Sequence, residues 1–435
     1  MKKTAGVLLL LGALAATARA EGPTNLFSFP EETKIKGPFA PVDGQLYFTC
    51  EKGGAYAYGY VGQFDPAGRT VTAWHKFDVE TKAKGACRMS NSLWFVTEKG
   101  GAANLGYIGR FDLAAHTVER LCEFTNATSA KSAPFLLGDG FYFFAEAGGA
   151  SNQGALMRYS LEGGLATVVS FHAALGIKPE ARPVWFDGRL YFGTREGGDT
   201  TQQTGKGAGS IGLLDLAAGT ATNLVNLNAS NHGARIKALL PFGGRLYYTT
   251  DEGGDLTLNG GKGSGAAGFF DPASRTLTRL FVCNGATTGI KPKGMVAVRD
   301  RVYFNCGEGG PNGCGAWYGI TDGTNVFPAA TNDIPFGNKA DLLTPYGRRI
   351  YCATEQGCSN WLGGISAYEF EVEEAELAAR LQNGQIALGW DILANDHVLE
   401  FSPSLTGKWT VVAGRDGTNA VLPYTEPMGF FRLRQ

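Results

Sequence analysis

The apolar positions of this chain fall in short, evenly spaced runs and not in helical stripes. One apolar strand recurs seven times: Leu46-Tyr47-Phe48, Leu93-Trp94-Phe95, Phe141-Tyr142-Phe143, Leu190-Tyr191-Phe192, Leu246-Tyr247-Tyr248, Val302-Tyr303-Phe304 and Ile350-Tyr351-Cys352. The central aromatics stand 47, 48, 49, 56, 56 and 48 residues apart, and six residues after each comes Gly-Gly, varied to Gly357-Cys358 in the last copy. Apolar side chains on both faces suit a strand sandwiched between neighbouring sheets. Each repeat reads as four strands, A to D. A Lys-containing turn opens strand A, as in Lys84-Gly85-Ala86-Cys87-Arg88-Met89, and the aromatic run is strand B. A Gly-rich loop leads to strand C, such as Gly106 to Asp112, and a turn to strand D, such as Val118 to Phe124. Four short strands per repeat without helical periodicity predict an all-β, seven-bladed β-propeller; a linear β-solenoid is the competing array.

The ends of the array point the same way. Asn25-Leu26-Phe27-Ser28-Phe29 reads as a strand D with no repeat before it, while the seventh repeat stops after strand C near Ile365-Ser366-Ala367-Tyr368. The N-terminal strand is therefore expected to complete the seventh blade and close the ring, which leaves no sheet edge exposed. From about Glu371 the repeat ends, and alternating stretches such as Gln385 to Trp390 and Lys408 to Val412 predict a small C-terminal β-sandwich over 371–435.

The first twenty residues change the picture of where the chain works. Lys2 and Lys3, the apolar stretch Ala5 to Ala16 and the small-residue site Ala18-Arg19-Ala20 predict a signal peptide over 1–20, with the propeller over 21–370. The remainder has no apolar run near the roughly 18 residues that span a bilayer. A soluble monomer that is secreted, periplasmic or at the cell surface is expected. Without that segment the chain carries 36 basic and 40 acidic residues, which argues against a nucleic-acid partner. The 63 glycines accompany 44% hydrophobic residues, so they mark tight turns of a folded chain and not disorder. Eight cysteines make disulfides plausible after export. Cys50 with Cys87, Cys306 with Cys314 and Cys352 with Cys358 are the candidate pairs, with Cys314–Cys358 as a rival, while Cys122 and Cys283 read as free core thiols.

The strand, Gly-Gly, Asn-Gly loop and strand of Tyr142 to Gly154 (YFFAEAGGASNQG) and Asp300 to Gly313 (DRVYFNCGEGGPNG) resemble the GloVer repeat of large exported bacterial proteins. The resemblance covers roughly 24–370 and implies tandem propeller-like repeats. It departs from the usual Gly-Thr-Thr after the aromatic, kept only as Gly193-Thr194. Leu399 to Val412 with the final Phe-Phe-Arg-Leu-Arg is similar to fibronectin-like C-terminal modules, which implies a spacer or attachment role.

Two charged rings are expected around one end of the central channel. A lysine precedes each strand A (Lys36, Lys84, Lys131, Lys178, Lys237, Lys293, Lys339), and a glutamate precedes each Gly-Gly (Glu51, Glu98, Glu146, Glu196, Glu252, Glu308, Glu355). They read either as a funnel for an oligosaccharide or other polar ligand, or as latches between blades. Longer B-to-C loops in repeats four and five, Asp199 to Gly209 and Asp255 to Gly268, single out that side. The binding candidates are Lys237, Lys293, Glu196, Glu252 and Glu308, with Tyr56, Tyr58, Trp317 and Trp361 as stacking aromatics. No catalytic residue is assigned, and no metal or cofactor is expected. Gly205-Lys206-Gly207 and Gly261-Lys262-Gly263 lack the Ser/Thr and helix of a phosphate loop, the five histidines form no ligand spacing, and no G-x-S-x-G elbow occurs. The expected role is a binding or interaction protein with a polysaccharide or cell-surface protein partner. A glycoside hydrolase or lyase at the same place and a structural spacer are the alternatives.

Overall fold

The computed structural model of the protein describes residues 22–54, 57–125, 128–137, 140–333, 336–357 and 362–369, and beyond them the strands 377–382, 385–390, 398–402, 410–411, 419–423 and 430–434. The expected signal segment, residues 1–20, lies outside the described residues.

Seven antiparallel sheets follow one another along the chain, each running A-B-C-D. In blade 1 strand B is Gln45–Lys52, strand C Tyr60–Asp65 and strand D Thr70–Lys76, with strand A split into Lys34–Ile35 and Ala40–Val42. In the seventh blade, Asn338–Ala340, Arg349–Gln356 and Gly364–Glu369 are completed by Gly22–Ser28, so the N-terminal strand closes the ring as expected. The hydrogen bonding at this junction is that of the other blades. The amide of Phe29 donates to the Gly363 carbonyl at 3.1 Å, as Phe77 does to Gly59 at 3.0 Å and Phe124 to Gly106 at 2.9 Å.

The core is a set of layers between blades. The residue after strand D of each of four blades is a phenylalanine that meets the residue following the central aromatic of the next blade: Phe77 on Phe95 at 6.0 Å, Phe124 on Phe143 at 5.6 Å, Phe171 on Phe192 at 5.2 Å, and Phe29 on Phe48 at 6.4 Å across the closure. Burying each such ring contributes roughly 1.5–3 kcal/mol. A chain that strings together strands apolar on both faces can only bury them by stacking sheets side by side, and the circle is what remains when no outer sheet is left over.

Strand A carries the feature that positions the site. Ala83 pairs with Thr97 but Ala86 with Phe95, so one extra residue bulges out, and the same shift occurs between Ile236 and Ala238 and between Pro292 and Met295. Just before each bulge, one repeat position is left-handed: Lys82, Ser129, Lys178, Arg235, Lys291 and Lys339 have φ between 44° and 69°. Side chains seldom adopt this conformation, and six occurrences at one repeat position mark a built-in kink that re-aims the residue two places on.

The C-terminal residues carry two three-stranded antiparallel sheets, Leu377–Gln382, Gln385–Trp390 and Asn419–Pro423 in one, and Thr410–Val411, Val398–Ser402 and Phe430–Arg434 in the other.

Candidate functional site: the central channel

The residue two places beyond each of these six kinks, and Lys36 at the same repeat position of blade 1, face the centre. Lys36, Lys84, Lys131, Glu180, Lys237, Lys293 and Asp341, one from each blade, line a single cavity of about 660 Å³. The ring therefore differs from the sequence expectation at two blades. Lys178 and Lys339 are the left-handed kink residues themselves, and the acids Glu180 and Asp341 take the ring position. Spacing in the sequence placed the wrong residue there because Lys-x-Glu and Lys-x-Asp put a lysine within the same few residues of the aromatic.

A second ring comes from strand B, four residues after the central aromatic: Glu51, Glu98, Glu146, Arg195, Asp251, Gly307 and Glu355. Glu196, Glu252 and Glu308, expected in this ring, sit one residue further on. Side chains alternate faces along a strand, so a one-residue displacement turns them away. They are held instead by the kink residue of their own blade, Lys178–Glu196 at 3.0 Å, Arg235–Glu252 at 2.9 Å and Lys291–Glu308 at 2.9 Å.

The two rings interlock across blade boundaries. Lys84 pairs with Glu51 of blade 1 and, at 3.0 Å, with Glu98 of its own blade; Lys131 reaches Glu98 of blade 2 at 2.7 Å; Lys237 reaches Glu180 of blade 4 at 2.7 Å and its own Asp251 at 3.5 Å. Lys36 pairs with Glu355 and, at 3.3 Å, with Asp341, spanning the closure between blades 7 and 1. Blade 4 has both signs exchanged, Glu180 against Arg195 at 3.1 Å, so the pairing survives the swap. In blade 6 the acid is replaced by Gly307, where an added Cβ would lie 3.5 Å from Lys293 Cε, and blade 7 carries two acids. Burial opposes ionisation of Asp341, but Lys293, Lys36 and Lys237 outweigh it and hold the carboxyl at about 2. Burial likewise opposes ionisation of Glu180, and Lys237 and Arg195 bring its carboxyl below the ordinary range. Asp251 and Glu252 go the other way: burial raises both, with Glu180 adding to the first and Asp251 to the second.

Beyond the ring, the cavity runs along strand A toward the A-to-B turns, away from the side singled out by sequence. Two residues past the ring stand Pro38, Ala133, Leu239, Met295 and Leu343, and in blade 4 the single charge Arg182. Among the described residues Arg182 forms no ion pair. Its side chain is solvent-exposed yet surrounded closely by protein, and this crowding lowers the guanidinium's hold on its proton. Trp185 lies three residues on, 56% exposed, in the same cavity wall. Sequence reasoning missed both. The signal was an arginine in an otherwise apolar repeat column, visible only once blade 4 is set in the right register.

The remaining candidates fall as follows. Trp317 is 0% exposed, in strand C of blade 6 (Ala316–Thr321), edge-on to Phe336 at 6.3 Å. It packs between blades and offers no face to a ligand, because its place in the strand points it inward. Tyr58 is 38% exposed. Tyr56 and Trp361 lie outside the described residues. The long loops of blades 4 and 5 fold back on their own blades as near copies. Asp199 Oδ1 accepts from the Thr201 amide and hydroxyl at 3.0 and 2.7 Å, Asp255 Oδ1 does the same for Thr257 at 2.9 and 2.6 Å, and the Lys206 and Lys262 carbonyls accept from Gly197 and Gly253, each at 2.7 Å. A second hollow of about 410 Å³ on that side is bordered by Lys34, Lys339 and Glu355.

All seven described cysteines are free. The expected pairs Cys50–Cys87 and Cys306–Cys314 are not formed: Cys50 Sγ instead accepts from the Tyr60 amide at 3.2 Å. Cys358, and with it the two pairs that need it, lies outside the described residues. Among the described residues no group of three His, Cys, Asp or Glu converges as a metal site, and no helix is long and apolar enough to cross a membrane.

Seven four-stranded blades around a ringed channel define a seven-bladed β-propeller. The Gloeobacter/Verrucomicrobia repeat matches residues 34–258, more than half of the chain, and the chain belongs to that family. No curated protein matches it in sequence. Among solved structures it is similar to the extracellular domain of a putative hybrid two-component system from B. thetaiotaomicron, with a TM-score of 0.56 and 11% identity over 92% of this chain and 48% of that one. It thus spans about half the length of that structure. It is also similar to a chain of the Mitotic Checkpoint Complex, with a TM-score of 0.52 and 11% identity over 86% of this chain and 99% of that one. At such identities the likeness is one of fold.

Proposed function

We propose that this is an exported or cell-surface binding protein that takes an anionic ligand, such as an acidic segment of a polysaccharide, into the central cavity. The observation that supports it is Arg182, a cation without an ion-pair partner among the described residues, in a cavity of about 660 Å³ where Lys36, Lys84, Lys131 and Lys237 are ion-paired within the rings and Lys293, like Arg182, has no ion-pair partner among the described residues. A cavity of this size falls in the range of small-ligand sites, which combine apolar walls with few polar groups. Arginine's planar fork suits a carboxylate, and the exposed indole of Trp185 beside it suits stacking on a sugar or other ring. The ion-paired rings fit the latch reading, holding the blades and forming the floor of the cavity. The test is a glycan array of matched acidic and neutral oligosaccharides probed with the mature protein and with Arg182→Ala. Retention of acidic glycans, reduced at least tenfold by the substitution, is the expected result. Equal retention of both sets, or binding indifferent to Arg182→Ala, overturns the reading.

The hydrolase or lyase alternative has one observation in its favour, the raised carboxyls of Asp251 and Glu252. Both are engaged by Arg235 and neither borders the cavity. Product release from an acidic glycan that is abolished in Glu252→Ala would support that alternative.

A further inference from the structure

We propose that Cys283 and Cys306 form a disulfide that ties blade 5 to blade 6. Cys283 follows strand D of blade 5 (Thr276–Val282), at the repeat position held elsewhere by Phe29, Phe77, Phe124, Phe171, Leu227 and Asn332, all of which donate the same backbone hydrogen bond. Cys306 lies in strand B of blade 6 (Arg301–Glu308), three residues after the central aromatic. At that position Cys50, Thr97, Thr194, Thr250 and Thr354 turn their side chains to the first residue of strand C in their own blade. Cys306 instead meets Cys283, Sγ to Sγ at 3.6 Å, with both residues fully buried. The two repeat positions face one another across a blade boundary, and here alone both are cysteine. The boundary at the closure has cysteine on one side only, Cys50 against Phe29. Blade 6 is also where Gly307 interrupts the ring of ion pairs, so the cross-link falls where the electrostatic latch is missing.

The bond forms by thiol–disulfide exchange with a disulfide-bearing oxidant: the two thiols give up two protons and two electrons, and the oxidant's disulfide is reduced to two thiols. Burial pushes the Cys306 thiol far above its ordinary value, so thiolate attack is slow in the finished fold and the exchange belongs to folding. The sulfurs must then close by about 1.5 Å to bonding distance. The test is to refold the full chain in a glutathione redox buffer, alkylate it under denaturing conditions without reduction, and map its peptides. A peptide pair linked through Cys283 and Cys306 is expected, with Cys306 becoming alkylatable in Cys283→Ala. Reductant should lower the thermal midpoint of the wild type by a few degrees and leave that of Cys283→Ala unchanged. Alkylation of both thiols in the unreduced wild type, or linkage of either to another cysteine, overturns the proposal.

Discussion

Asp341 shows how strongly one ring residue can couple the fold to pH. Its carboxyl is held at about 2 against an ordinary 3.8. A depressed carboxyl contributes stability that is fully present above about pH 4 and is lost as the pH falls toward 2, which amounts to about 2 kcal/mol. Glu98, Glu180 and Glu355 are depressed as well and act in the same direction, while the raised Asp251 and Glu252 oppose them. Urea unfolding measured between pH 5 and pH 2 should therefore show a steep loss of stability. In Asp341→Asn that slope should be shallower, with stability at pH 7 already lower by about 2 kcal/mol. An unchanged slope would mean that the Asp341 carboxyl is not coupled to Lys36 and Lys293.

Blades 1, 2, 4 and 5 depend on a glycine in strand C (Gly62, Gly109, Gly212 and Gly268) as much as on the aromatics of strand B. Gly62, Gly109 and Gly212 pair with Phe48, Phe95 and Phe192, and a Cβ at Gly109 would come within 2.3 Å of the Phe95 ring. The ring lies flat over the glycine and meets the phenylalanine of the preceding blade, so a side chain there would push apart two blades at once. Gly109→Ala is expected to lower stability by about 1–3 kcal/mol, the usual range for overpacking, seen as a lower urea midpoint at unchanged slope. Blades 3 and 6 pair Met157 and Tyr318 at the same place.

At the scale of the molecule the ring stands on one non-local pairing. Strand Gly22–Ser28 forms the edge of a sheet whose other strands begin at Asn338, and Phe29 and Lys36 extend the contact into the Phe48 ring and to Glu355. Deleting residues 22–29 uncovers the edge of strand Gly364–Glu369. It also removes the Phe29–Phe48 contact, which by ring burial alone is worth roughly 2 kcal/mol. The shortened protein should unfold at a lower temperature and self-associate through the bared edge, measurable by light scattering against concentration. A monomer with an unchanged midpoint would show that closure by this strand contributes little.

The number of blades, their strand order and the closure were legible in the sequence, because covalent spacing fixes the repeat and apolar runs announce which strands lie between sheets. The identity of the channel residues was not. An extra residue in strand A and the period-two alternation of strand B decide which side chains face the centre. A displacement of one residue separates Arg195 from Glu196 and Asp251 from Glu252, and one of two residues separates Glu180 from Lys178. Only the folded pairing registers resolve such shifts, and only the stacking of one blade on the next brings Trp317 indoors or sets Cys283 beside Cys306.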